Sequence, residues 1–193
     1  MPGPKILVIP GSTRAGSNNV KLAALAVKEL ALIDVEATRI SLADYELPIY
    51  EAGIEVKGGP PANALRLKQM IMAHHGVFIA TPEYSASVPP IVKNAIDWVS
   101  RVRERGDPTY AAFKGRVFAV AAASPGALGG ARALVALRQI LELGCGALVI
   151  PEQVTVANAD HAFEATGELA DTGTANAFRM MLARLVDVAR RMM

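Results

Sequence analysis

The chain has 193 residues, 52% of them hydrophobic and 20% charged, which is enough apolar material for the core of one domain near the common size. Its 20 basic and 18 acidic residues leave a net charge of +2 with no basic cluster. That balance gives no reason to expect a nucleic acid or an anionic membrane as partner. A single cysteine, Cys145, excludes an intrachain disulfide, and its place in the apolar run 141–151 reads as a buried, inert thiol in a reducing cytoplasm. No signal-peptide pattern and no apolar run of membrane-spanning length is present.

The first predicted element is a buried strand, Ile6-Leu7-Val8-Ile9, stopped by Pro10 and Gly11. Residues 18–32 place Val20, Leu22, Ala23, Leu25, Ala26 and Leu30 on a helical period, with Ser17 as the N-cap. Residues 35–42 alternate and predict a second strand nearer an edge of the sheet. Residues 45–61 carry three prolines and three glycines without a period and read as loop. A helix over 63–74 turns Leu65, Leu67, Met70 and Ile71 inward, and 76–80 is a third strand. Residues 90–103 form a further helix with Pro90 in its first turn, where a missing N–H costs little. The spacing of Arg101, Arg103 and Arg105 suggests a solvated helix end. A strand over 116–123, a helix over 130–143, a strand over 147–150 and a terminal helix over 172–191 complete the series.

These runs are too apolar for strands wet on one face. They predict an α/β fold with a parallel five-stranded sheet covered on both sides, doubly wound in the order 2-1-3-4-5, in a single domain over 1–193. In such a sheet the ligand site lies at the carboxyl ends of the strands, where the winding reverses.

Three loops at those ends carry the polar chemistry. Residues 11–19, Gly-Ser-Thr-Arg-Ala-Gly-Ser-Asn-Asn, follow a strand and open a helix. Free N–H groups and the helix dipole favour an anion there, and the forked guanidinium of Arg14 suits a phosphate. Charge-assisted bonds of about 1.5–3 kcal/mol each outweigh the dipole, at roughly 0.3–2 kcal/mol. The glycine spacing matches a P-loop, but Ser17 and Asn18 stand where Lys and Ser or Thr are required, which argues against triphosphate chemistry. No G-x-G-x-x-G turn and no G-x-S-x-G elbow occurs in the chain. The second loop, 81–90, is stiffened by prolines and holds Tyr84, which suits a flat heteroaromatic ring. In the third, 124–132, three glycines are expected to let backbone approach a ligand.

Taken together, residues 11–19, Pro82-Glu83-Tyr84, Lys93-Asn94-Ala95-Ile96-Asp97-Trp98 and Ser124 through Arg132 resemble the NADPH-dependent FMN reductase family, which includes quinone, chromate and azo-dye reductases of flavodoxin-like fold. The resemblance implies bound FMN, NADPH or NADH as donor, a small-molecule acceptor and a homodimer or homotetramer. It implies that Ser12, Arg14, Ser17 and Asn19 hold the FMN phosphate, with Asn18 among them. Pro82, Glu83 and Tyr84 would line the isoalloxazine, and Ser124 and Gly126 would approach the ring and ribityl chain. Ser85 stands at the cofactor-binding position where the family usually has Asn, and Pro90 replaces a usual Gly. No general acid or base is evident: His74 and His75 sit at the wrong edge of the sheet, and His161 lies in a late polar loop without a set of metal ligands. Trp98 and the methionines Met180, Met181, Met192 and Met193 read as core or subunit-interface packing. The alternatives are a flavodoxin-type electron carrier, against which the near-neutral charge argues, and a sensor of another phosphorylated ligand.

Overall fold

The computed structural model describes residues 3–193. Its elements are β1 (Lys5–Pro10), α1 (Asn18–Ala31), β2 (Glu36–Arg39), α2 (Ala52–Gly58), α3 (Ala62–Met72), β3 (Gly76–Thr81), α4 (Pro90–Arg101), β4 (Val117–Ala123), α5 (Ala131–Arg138), β5 (Leu148–Val156) and α6 (Thr172–Arg191). The five strands are all parallel in the order β2-β1-β3-β4-β5. The fold is therefore the flavodoxin-like doubly wound sheet expected from the apolar runs.

The two-residue repeat of a strand divides the core. Ile6 and Val8 of β1 and Phe78 and Ala80 of β3 face the layer of α1 and α6, while Leu7, Ile9, Val77 and Ile79 face the layer of α3, α4 and α5. β3 and β4 are buried along their whole length because helices cover both faces. β2 lies at one edge, is short and is only half-buried.

Four stretches differ from the sequence reading. The segment 45–61 is not all loop: α2 lies inside it, capped by Glu51, whose carboxylate accepts from the N–H groups of Gly53 (2.8 Å) and Ile54 (3.1 Å). None of its residues is buried, so there was no apolar period to read. Its Glu55 binds Arg101 Nε at 2.9 and 3.0 Å, so the end of α4 is ion-paired rather than merely solvated. β5 runs past Ile150 to Val156 across a bulge opposite Ala119, in which Pro151 sits without needing a ladder hydrogen bond. Arg138 donates to the carbonyls of Ile150 (2.5 Å) and Pro151 (3.1 Å) there. Finally, the helix predicted to 143 passes into a π-helical turn at Gln139–Gly144.

Lys68 on α3 is fully buried and pairs with Glu104 at 2.9 Å and with Asp107, which ties the segment before β4 to α3. Cys145 is buried, and burial pushes its thiol up to about 11. Trp98 is fully buried, and its indole N–H donates to the Pro48 carbonyl at 2.7 Å. Met181 packs in the core, whereas Met180, Met192 and Met193 are exposed. Among the described residues, no helix is long and apolar enough to cross a membrane.

Candidate functional site

The loop after β1 is shaped by its first glycine. A Cβ on Gly11 would stand 2.7 Å from Val92 Cγ2 and 3.2 Å from the Ala80 carbonyl, so only glycine lets the chain pass between β3 and α4. Gly16 then takes a left-handed φ of 71° and returns the chain into α1. Ser12 Oγ accepts from Arg14 N–H at 3.3 Å, and Ser17 caps α1 by accepting from Asn19 N–H at 3.3 Å. Arg14 pairs with no carboxylate among the described residues.

Asn19 is fully committed within the protein and Asn18 in part. Asn19 is buried, donates to the Ala123 carbonyl at 2.8 Å and accepts from the Ala123 N–H at 2.9 Å. It thereby replaces a missing strand neighbour at the end of β4 and locks the first loop to the third. Asn18 donates its amide to Asp160 at 2.9 Å. These contacts span 142 and 104 residues, which is why no local pattern announced Asp160 or Ala123 as partners.

In the loop after β3, Tyr84 and Ser87 exchange backbone hydrogen bonds, each N–H to the other's carbonyl at 2.9 Å. Ser85 and Ala86 between them have φ of 48° and 61°. This is the left-handed two-residue turn that ordinarily demands Asn-Gly. Tyr84 is half-exposed beside it. Glu83 points the other way, into the start of α5, and Arg132 holds its carboxyl below the usual carboxylate range, with the helix N–H groups reinforcing the effect against desolvation. Asn94 on α4 accepts from Tyr50 N–H (2.8 Å) and donates to the Pro48 carbonyl (2.9 Å), so the Lys93–Trp98 motif fastens the segment after β2.

The third loop is bound to the segment after β5: Ser124 N–H donates to Val156 at 3.0 Å and Ala159 N–H to Ser124 at 3.1 Å. Two of its glycines are required by packing. A Cβ on Gly129 would come within 2.8 Å of Ala157 N, and one on Gly130 within 2.6 Å of Ala122 Cβ. Gly126 alone faces open space, its nearest neighbour being Ser124 Oγ at 4.0 Å.

The three loops enclose one cavity of about 250 Å³, lined by Ser12, Arg14, Ser17, Asn18, Asn19, Pro82, Glu83, Tyr84, Ala123, Ser124 and Pro125. It gathers all the sequence candidates except Ser85 and Gly126, which belong to the same loops but do not line it. His161 and Asp171 line a separate cavity of about 360 Å³ beyond β5. Among the described residues, no three His, Cys, Asp or Glu side chains are placed to hold a metal ion.

Residues 4–161 match the sequence model of NADPH-dependent FMN reductases. An NAD(P)H-dependent FMN reductase of Pseudomonas aeruginosa is 36% identical over 190 residues, 97% of this chain and 96% of that protein. A quinone reductase of Escherichia coli is 35% identical over 173 residues, 88% of this chain and 87% of its own. Among solved structures, a flavoenzyme NAD(P)H:(acceptor) oxidoreductase from Paracoccus denitrificans superposes with a TM-score of 0.77 at 30% identity, covering 97% of this chain and 98% of that one.

Proposed function

The chain belongs to the NADPH-dependent FMN reductase family, and from that premise we propose that its three-loop cavity holds FMN and passes electrons from NAD(P)H to a small oxidant such as a quinone. The net reaction oxidises NAD(P)H to NAD(P)+ and reduces a quinone to the quinol with uptake of one proton. Bound FMN supplies the hydride chemistry; the chain supplies position and electrostatics.

One observation carries the reading. A guanidinium with no carboxylate partner among the described residues, two serine hydroxyls and the start of a fourteen-residue helix converge on a single small cavity beside a half-exposed tyrosine. This donor set fits a phosphomonoester: Arg14 offers a two-pronged charged contact, Ser12 and Ser17 offer hydroxyls, and the first turn of α1 offers N–H groups of which the cap satisfies only part. Asn18 and Asn19, with their amides engaged by Asp160 and Ala123, hold the cradle's shape. Pro82 and Tyr84 form one wall of the ring slot and Ser124 the other, with Ser85 and Gly126 in the same two loops.

The remaining parts of the reading are a single FMN-binding domain, a homodimer or homotetramer, and a cytoplasmic location. The lone buried cysteine supports the last. The test is direct: FMN titrated into the apoprotein should lose its fluorescence, and the loaded protein should oxidise NAD(P)H rapidly only when a quinone is present. Failure to bind FMN rules out the reading; FMN binding without NAD(P)H turnover would favour an electron carrier.

A further inference from the structure

Resting on the flavin reading, we propose that Glu83 is a positioning residue: its carboxylate caps α5 from the loop after β3 and so fixes the gap between the two walls of the ring slot.

Both oxygens of Glu83 are committed. One accepts from the N–H groups of Arg132 (3.0 Å) and Ala133 (3.2 Å), and the other accepts from Arg132 Nε (2.8 Å) and Nη2. The side chain is 7% exposed. No oxygen is left to serve a ligand, so the side chain acts through α5 rather than on the flavin. α5 needs this partner, because its own N-cap is Gly130, which has no side chain to accept from the first turn. The cap therefore comes from 49 residues upstream.

The position of this contact gives it a role beyond helix stability. Glu83 adjoins Tyr84 on one wall, and Arg132 closes the loop that begins with Ser124 on the other. The turn beyond Tyr84 makes its backbone hydrogen bonds between Tyr84 and Ser87 and contains two left-handed residues other than glycine, a conformation that persists where its flanks are fixed. Glu83 fixes one end of that turn to the body of the domain by hydrogen bonds, and buried Val88 fixes the other end by packing. The same carboxylate fills the anion site at the start of α5, so that helix terminus is closed to a phosphate.

The experiment compares Glu83→Gln, Arg132→Ala and the double variant with the wild type. Arg101→Ala serves as control, since it breaks an ion pair of similar exposure away from the cavity. The readouts are FMN dissociation constant by fluorescence quenching, the absorption spectrum of bound flavin, and melting of the apoprotein. A positioning role predicts an FMN constant raised about tenfold in each single variant, as expected for losing a charge-assisted contact. It also predicts less than additive loss in the double variant and a bound spectrum shifted toward that of free FMN, with the apoprotein still melting cooperatively. Unchanged affinity and spectrum, or an equal loss of affinity in Arg101→Ala, overturns the proposal. A wild type that binds no FMN overturns the flavin reading itself, and this proposal with it.

Discussion

The turn after Tyr84 lends itself to a quantitative prediction. Ser85 and Ala86 both occupy the left-handed region, with φ of 48° and 61°, and both are exposed with no packing to lose. The left-handed conformation costs an ordinary L-residue roughly 1–2 kcal/mol. Asn tolerates it, and glycine escapes it, though glycine brings about 0.5–1 kcal/mol of extra chain entropy to lose on folding. Replacing the pair by Asn-Gly, the sequence this turn type prefers, should therefore gain a net of about 1–2 kcal/mol. For a domain of this size each kcal/mol shifts the melting temperature by roughly 2–4 °C, so Ser85→Asn with Ala86→Gly should raise it by about 2–8 °C. Differential scanning calorimetry of the apoprotein measures this directly. A melting temperature that stays the same or falls would refute the reasoning, because it would mean that the turn is relaxed in the native state despite its dihedrals.

Three further outcomes follow from contacts within the site. Asn19→Ala strands the buried N–H and carbonyl of Ala123, each costing about 1–3 kcal/mol, and should lower stability to urea by about 2–4 kcal/mol; a loss below about 1 kcal/mol would mean that water replaces the amide. Gly130→Ala drives a methyl to 2.6 Å from Ala122 Cβ at a φ of 91° and should destabilise by about 2 kcal/mol or more, while Gly126→Ala, with open space around it, should melt with the wild type. Equal behaviour of the two glycine variants would contradict the packing role assigned to the first. Acid should release flavin through Glu83: its folded pKa lies below the ordinary value, so its contribution is complete above the unfolded carboxylate pKa of about 4.3 and disappears as pH falls through the folded value. Flavin retention should therefore fall below about pH 4 in the wild type and show a weaker dependence in Arg132→Ala, as an ultrafiltration assay at each pH would show.

How much of this could be read in the chain depends on the range of the deciding interaction. β1, β3 and β4 were legible because burial on both faces leaves unbroken apolar runs, and the order of the sheet follows once right-handed crossovers are imposed. α2 was not, since a short solvent-facing helix fixed by the Glu51 cap and the Glu55–Arg101 pair has no apolar stripe. Pro151 read as a strand end because a sequence does not show that β5 is an edge strand with a bulge to receive it. The site divides in the same way. Polar residues in three strand-end loops marked its place, but which of them face a ligand is set by partners distant in sequence. Asn19 and Glu83 look like donors and acceptors awaiting a cofactor until Ala123 and the first turn of α5 are seen to engage them. Arg14 is the proposed phosphate contact for the opposite reason: it lines the cavity, and no acid in the described structure claims it. In this fold a polar side chain left unpaired by the protein is the stronger indicator of ligand contact, and a polar side chain with all its bonds made inside the protein more often sets where that contact can occur.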